Sequence, residues 1–532
     1  MNVIRDRWIP CRFDDGRISH VGIAELSDPS IRNLATTRPD FTGALALLLI
    51  AILQMALKPR TDDDWRNLYR SPLKPDEFAA ALKPLHAAFE LAPENGPAFF
   101  QDLELPDDTP RHPIDDMLID RGSDSNLHFN HPSQGSGFCP CCTALALATL
   151  QLNSPSGGRG IRTSVRGGGP MTTLLLPAAA NAPLWEMLWL NVLPLKDLGV
   201  TTTFDANHAL PWVHATRTSD GPIGIETHPG DVHPLQVLWS FSRRIRLVTD
   251  DCSVGTCTVC GIDTSQRFHT IQTRHGGTNY AGPWIHPHTP YHFDSKGVES
   301  PQSIKGGWGR HAYRHWVGLA LRRPDQDAHG PTAATVVQLH PRQRWKIPVR
   351  LWCFGYEMDK AKARNWYESV LPLHDVPDEQ LPSLRFRLLT ALDGAEGALS
   401  SLNKAVRDAR FTGAGKVKGH WAPIVNAFWS TTEADFYTLL ETLTRRANDA
   451  DDSEDEIQEA TERWRRELRY RTLALFDTYV LGIPLEGHNA EPLVRARRDL
   501  ESALYASRAM KQMRKAGRTG STDRARQDSL HE

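Results

Sequence analysis

Apolar residues follow two contrasting patterns along the chain. Up to about residue 375 they come in short runs, such as Thr172-Thr-Leu-Leu-Leu176 and Ala334-Thr-Val-Val-Gln-Leu339, interrupted by frequent Pro, Gly and His. Short runs bounded by such breakers predict short strands and helices joined by long loops. One stretch is longer. Phe41 to Leu57 is almost wholly apolar and follows Arg38-Pro39-Asp40, a helix-start signal. Its length lies at the bottom of the range that can cross a bilayer, and a buried core helix is the favoured reading.

After His374-Asp-Val-Pro377 the period changes. Leu384, Leu388, Leu392, Ala395 and Leu399 recur at helical spacing, as do Phe436, Leu439, Leu440 and Leu443, then Trp464, Leu468, Leu475 and Tyr479, and last Leu493, Leu500 and Leu504. Four amphipathic helices in succession predict a four-helix bundle. Its expected breaks are Thr412-Gly-Ala-Gly-Lys-Val-Lys-Gly419, the acidic stretch 449–456 and Gly482-Ile-Pro-Leu-Glu-Gly487. Beyond about Ala516 only Gly, Ser, Thr and charge remain, the composition of a disordered tail. The expected fold class is α+β: a large irregular mixed α/β domain over 1–375, a four-helix bundle over 378–515 and a tail over 516–532. No internal repeat at a solenoid or propeller period is present.

At 532 residues the chain can form two or more cores. Its 61 basic and 63 acidic residues nearly cancel, so contact with a polyanion must use local patches rather than a global field. The start, Met-Asn-Val-Ile-Arg, lacks the charged and apolar regions of a secretory signal, and the expected location is the cytoplasm, with no membrane partner. That compartment disfavours a disulfide framework for the eight cysteines.

Four of those cysteines form two CxxC pairs, Cys139-Pro-Cys-Cys142 and Cys257-Thr-Val-Cys260. Cys139, Cys142, Cys257 and Cys260 can close a tetrahedral thiolate shell around Zn²⁺, and such a closed shell is structural because no coordination position stays open for chemistry. Cys141 and Cys252 are possible substitutes as ligands, whereas Cys11 and Cys353 suit the interior as small hydrophobes. Other motifs fail their tests. Gly413-Ala-Gly-Lys416 lacks the upstream Gly and the following Ser or Thr of a phosphate-binding loop. No His-Glu-x-x-His or His-x-Glu occurs, and His374-Asp375 suits a linker or cap better than a metal-nuclease ligand pair. Trp284-Ile-His-Pro-His288 could ligate a metal, but a packed, hydrogen-bonded turn is favoured.

Ser156-Gly157-Gly158-Arg159-Gly160 carries one bulky side chain, so its backbone N–H groups could approach a groove or phosphate closely, with Arg159, Arg162 and Arg166 supplying charge. An ordinary surface loop is the plain alternative for such a segment alone. Beside a zinc knuckle and the basic segment from Arg267 to His275, the balance moves to nucleic acid.

Several motifs in order carry a family resemblance: Asn2-Val-Ile-Arg-Asp-Arg-Trp-Ile-Pro10, Asn130 with the loop into Cys139, the Ser156 loop, Arg166-Gly-Gly-Gly-Pro-Met-Thr-Thr173, Trp284-Ile-His-Pro-His-Thr-Pro290, Gly355-Tyr356 and the final bundle. Together they resemble the large subunit of the type I-E CRISPR surveillance complex Cascade, the CasA family. The resemblance implies a non-catalytic subunit that reads the protospacer-adjacent motif (PAM) in double-stranded target DNA, promotes duplex opening for guide-RNA pairing and R-loop formation, and recruits a helicase–nuclease. Its other partners would be the guide-RNA ribonucleoprotein and its subunits. The glycine loop would meet the PAM from the minor groove, whose degenerate pattern would admit several sequences. A family lysine that also reaches into the minor groove falls at His275 by spacing from Cys260, with Arg274 adjacent, and a strand-separating wedge falls on Asp359, Lys360 and Ala361, where Asn and Gln are usual. Asn130 would lie near the first guide-paired bases. The bundle would pack on neighbouring subunits, with Arg465, Arg466, Arg495 and Arg498 either guiding the displaced strand or forming ordinary solvated surface. Outside the resemblance, two alternatives stand: a zinc-stabilised RNA-binding scaffold, and a zinc hydrolase with an unrecognised site.

Overall fold

The computed structural model describes residues 1–121, 136–155, 157, 160–201, 204–220, 224–294, 299–306, 312–323, 330–343, 347–359, 362–410, 422–449, 454–482, 490–507 and 510–513. The chain divides into two units, one comprising Met1–Trp308 and Ala328–Leu373, the other Gly309–Asp327 and His374–Glu532. Both fold classes expected from the sequence, mixed α/β and helical, are present.

The first unit is built from small antiparallel sheets around two apolar helices. Ile9–Phe13 lies between Ile18–Val21 and Ile31–Leu34; Thr270–Arg274 lies between Arg111–Pro113 and Arg244–Leu247; and Val349–Asp359 lies between Lys362–Pro372 and Thr172–Pro177. The helix Pro39–Leu57 starts on a proline, whose missing N–H costs nothing in the first turn, and is buried on nearly every face. It is a core helix of this unit. Tyr356 Oη donates to Asp40 Oδ2 at 2.6 Å, and Arg38 holds both Asp40 and Asp120, so the helix start is tied to the central strand of the third sheet. Beside it runs Pro140–Asn153, also with proline first and also buried along its length. Phe89, Phe99, Phe100, Trp212 and Trp239 fill the space near the second sheet, with ring centroids 4.6 to 6.0 Å apart.

The second unit contains the helices Leu381–Arg410, Ala422–Asn448, Glu454–Phe476 and Ala490–Ala506. The apolar positions read from the sequence are buried in it, with one exception. The third helix passes into a π turn, Asp477–Leu481, which slips the phase and buries Val480 while Tyr479 stays partly exposed. A second departure concerns the boundary. The segment Gly309–Asp327, which the apolar pattern leaves in the N-terminal domain, belongs to the helical unit. Tyr313 explains why: its ring packs 4.8 Å from Phe436 and 5.4 Å from Trp429, and its hydroxyl meets Thr432 Oγ1 at 2.6 Å. Arg314 pairs with Glu396 on the first bundle helix, and Trp316 is fully buried. The segments 412–419, 450–453, 483–489 and 516–532, which hold most of the expected breaks and the tail, lie outside the described residues.

Candidate metal centre and nucleic-acid interface

The two CxxC pairs meet. Cys139 is the N-cap of Pro140–Asn153, and its Sγ accepts from the Cys142 N–H at 3.4 Å, so the helix start itself folds the first pair into a turn. The second pair sits at the turn of the hairpin Ser253–Thr256 and Asp263–Arg267, where Gly261 takes a left-handed φ of +73° to close the chain back on Cys257. Reciprocal backbone bonds between Phe138 and Phe268, at 3.0 and 2.9 Å, and Thr258 N to Gly137 O at 2.9 Å clamp the two pairs together.

Sγ atoms of Cys139, Cys142, Cys257 and Cys260 all lie within 4.8 Å of one another, and Cys139 and Cys260 are 3.8 Å apart. A zinc–sulfur bond of about 2.3 Å in a tetrahedron requires sulfurs about 3.8 Å apart, so the donor set fits Zn²⁺. Hydrogen bonds from the Cys141, Cys142 and Cys257 thiols hold Cys139 far below the usual thiol range, while those same bonds raise Cys141 and Cys142 and burial pushes Cys260 up to about 12. Burial and mutual repulsion oppose four thiolates packed this closely, and a divalent cation would offset both. All eight cysteines are free thiols; Cys141 and Cys252 stand outside the four-sulfur set, and Cys11 and Cys353 are buried.

Pro140–Asn153 is a strut about 21 Å long, with the cysteine cluster at one end and the glycine loop at the other. Two arginines hold its C-terminal end and the loop that follows. Arg166 donates to Leu152 O at 2.9 Å, Asn153 Oδ1 at 3.0 Å and Thr172 Oγ1 at 2.6 Å. It is 2% exposed, which corrects the expectation that it supplies surface charge: the last helix carbonyls and the negative end of the helix dipole draw it inward. Burial lowers its pKa to about 10, so it remains cationic at neutral pH. Arg243 then bonds Pro155 O and Arg162 O, the two ends of the loop, while its backbone exchanges bonds with Gln151 at 2.8 and 3.0 Å.

Gly160 joins this loop to the turn after strand Thr270–Arg274. Its carbonyl accepts from Gly276 N at 2.9 Å, and a Cβ on Gly160 would lie 3.2 Å from the His275 Cβ. Gly276 and Gly277 are buried, and a Cβ on Gly277 would sit 2.0 Å from Ser242 O, so the turn can pack here only as glycine. On this base Gly157, Arg274 and His275 are exposed and Gly160 is partly so. Arg162 is partly withdrawn, its Nε donating to Ser219 Oγ at 2.8 Å. Ser156, Gly158 and Arg159 lie outside the described residues, as do Asn130, Lys360 and Ala361. Asp359 ends its strand opposite Lys362, and its side chain is not among those described. Asp115 gathers the chain on both sides of 122–135, bonding Arg121 and, at 2.5 Å, Ser136 Oγ.

Trp284 to His288 forms the packed turn, not a metal site. His286 and His288 are buried, His288 Nε2 donates to Asn191 O at 2.7 Å, and His286 Nδ1 accepts from His288 N at 3.2 Å. Burial depresses both histidines, His288 to about 4. On the bundle, Arg466, Arg495 and Arg498 are exposed, the last two paired with Glu491 and Asp499 as on a solvated helix face, whereas Arg465 is half-buried and paired with Glu462.

A sequence profile described as CRISPR-associated protein Cse1 matches residues 2–475. The chain belongs to the Cse1 family. Several solved structures share this Cse1 fold. Thermobifida fusca Cse1 is 18% identical, with a TM-score of 0.67 over 98% of this chain and 99% of that one. Thermus thermophilus CasA (Cse1) is 19% identical, with a TM-score of 0.63 over 94% and 99%. A chain of a CRISPR RNA-guided surveillance complex is 16% identical, with a TM-score of 0.62 over 95% and 99%. Sequence pattern missed Arg243, Ser219 and Asp220 as parts of this Cse1 surface. Gly276-Gly277 beside His275 was the available signal, since paired glycines mark close backbone approach.

Proposed function

We propose that the protein is the non-catalytic large subunit of a cytoplasmic, guide-RNA surveillance complex, reads the PAM of double-stranded DNA, promotes its opening and R-loop formation, and recruits a helicase–nuclease. Family membership supports the assembly, and a family structure is of an RNA-guided surveillance complex. One observation carries the DNA-reading role: Gly160, tethered to the Gly276 amide, stands against His275 beside Arg274, with both ends of the loop held by Arg243. Backbone N–H donors of a glycine-rich segment complement minor-groove acceptors, the adjacent cations complement phosphates, and the degenerate groove pattern admits more than one PAM.

Zinc, when bound, supplies no reaction here; Cys139, Cys142, Cys257 and Cys260 would hold it and so fix the strut that carries the loop. Asp359, Lys360 and Ala361 are proposed as the wedge and Asn130 as a contact near the first guide-paired bases. The deciding experiment replaces Gly157 and Gly160 by phenylalanine in the assembled complex. Binding of PAM-bearing duplex should fall at least about tenfold, while guide-matched single strands bind as before. Equal loss on both substrates would refute the role, and indifference of the unmodified complex to PAM scrambling would favour an RNA-binding scaffold instead. Metal-dependent turnover by the chain would revive the hydrolase.

A further inference from the structure

Among the described residues that form the surface around the glycine loop, 155, 157, 160–162, 218–220, 274 and 275, the charged side chains are Arg162, Arg274 and a single acid, Asp220. Its carboxylate lies 3.6 Å from the Arg274 guanidinium, and each side chain is 47% exposed. The chain holds Asp220 there firmly. Ser219 N donates to Gly276 O at 2.9 Å, and Ser219 Oγ donates to Gly277 O at 2.7 Å while receiving Arg162 Nε. Gly276 has a left-handed φ of +82°, and a Cβ there would stand 2.5 Å from the Asp220 Cβ, so the turn is built to let Asp220 lie against it.

A surface meant to meet a polyanion gains nothing in affinity from a carboxylate on its exposed arginine. Resting on the DNA-reading role above, we propose that Asp220 is an electrostatic brake on sequence-independent binding: it occupies Arg274 as a stand-in for phosphate and denies that charge to a duplex offering only its backbone. Phosphate attraction dominates non-specific binding, so removing one cation from that account weakens every random encounter. An exposed ion pair is weak and reversible, and a duplex seated against the glycine loop can take Arg274 from it.

The test is Asp220→Asn in the assembled complex, with affinities for PAM-bearing and PAM-scrambled duplexes measured across a salt series. Scrambled-duplex binding should tighten roughly three- to tenfold, and the slope of log affinity against log salt should steepen by about 0.9, the share of one further neutralised phosphate. Asp220→Ala guards against a local packing effect and should act in the same direction. In an Arg274→Gln background Asp220→Asn should change scrambled binding by less than about twofold, because the effect runs through that guanidinium. Unchanged or weaker scrambled binding by Asp220→Asn, or an undiminished gain without Arg274, overturns the brake. If the unmodified complex fails to distinguish the two duplexes, the DNA-reading role falls first and the brake with it. If it distinguishes them and Asp220→Asn still moves nothing, the brake alone falls.

Discussion

Arg243→Met tests whether the glycine loop must be held at its ends. The guanidinium bonds Pro155 O and Arg162 O, whereas the Arg243 backbone bonds to Gln151 survive the substitution, so the change removes the clamp without breaking the strand start. Hydrogen bonds from a charged donor are worth about 1.5–3 kcal/mol each, and because the side chain keeps some contact with solvent the lower figure applies, giving about 3 kcal/mol for the pair. Burial lowers the Arg243 pKa to about 10, a sign that placing this charge already opposes the gain; the net loss of stability should therefore be about 2 kcal/mol.

The larger effect should appear on DNA. Without the clamp the loop keeps its Gly160–Gly276 tether, and the residues before Gly160 must be reordered on binding at about 1–2 kcal/mol each where they loosen. Partial reordering of that loop predicts a ten- to hundredfold weaker affinity for PAM-bearing duplex. Competition binding by the assembled complex measures it, with guide-matched single strand as the control that should not change. Arg243→Lys, which can reach one carbonyl but not both, should fall between. A variant that melts near the parent temperature and binds PAM-bearing duplex within twofold of it would refute the requirement for a clamped loop.

Three further outcomes follow from the same geometry. Cys257→Ser should abolish stoichiometric zinc by elemental analysis and lower the melting temperature by about 5 °C or more; full zinc content would show that the four-sulfur set is not the site. Gly277→Ala forces a Cβ to 2.0 Å from Ser242 O and should cost about 3 kcal/mol or more in denaturant unfolding, whereas Gly230→Ala, which meets nothing within 4 Å, should be neutral. For His288 the folded-state pKa of about 4 lies below the ordinary 6.5, so the unfolded chain takes up the proton first. Its contribution is complete above pH 6.5 and declines by up to about 3 kcal/mol as pH falls to 4. His288→Gln, which can keep the donor to Asn191 O, should flatten that acid limb; an unchanged limb would contradict the buried neutral imidazole.

The bundle was legible because each helix repeats its apolar positions with the period of the structure it forms: Leu384, Leu388 and Ala395 on one helix, and Phe436, Leu440 and Leu443 on the next, are all buried. Tyr479 failed where the period itself fails, at the π turn. Tyr313 and Trp316 carry no periodicity, so nothing local marks them as part of the helical unit. Arg166 is harder still. Among three glycines an arginine looks like a surface contact, and only the Leu152 carbonyl and the Asn153 side-chain oxygen, at the end of a helix thirteen to fourteen residues upstream, turn it inward.

The interface shows the same division between local and distant information. Spacing within each CxxC pair is a local property, and it identified four thiols that the fold brings within 4.8 Å. The approach of Gly160 to His275 joins segments far apart in the chain, and no pattern of composition contains it; the family resemblance suggested it. Physically the two features are one device. A structural metal has value for recognition only if something rigid transmits its position, and Pro140–Asn153 is buried along its length, capped by Cys139 at one end and gripped by Arg166 and Arg243 at the other. A helix so constrained has little freedom to rotate or slide, so the four-cysteine cluster fixes where the loop begins. Loss of the metal should therefore reach the DNA surface as a displacement of Pro155 and Gly160, even though no zinc ligand lies in that surface.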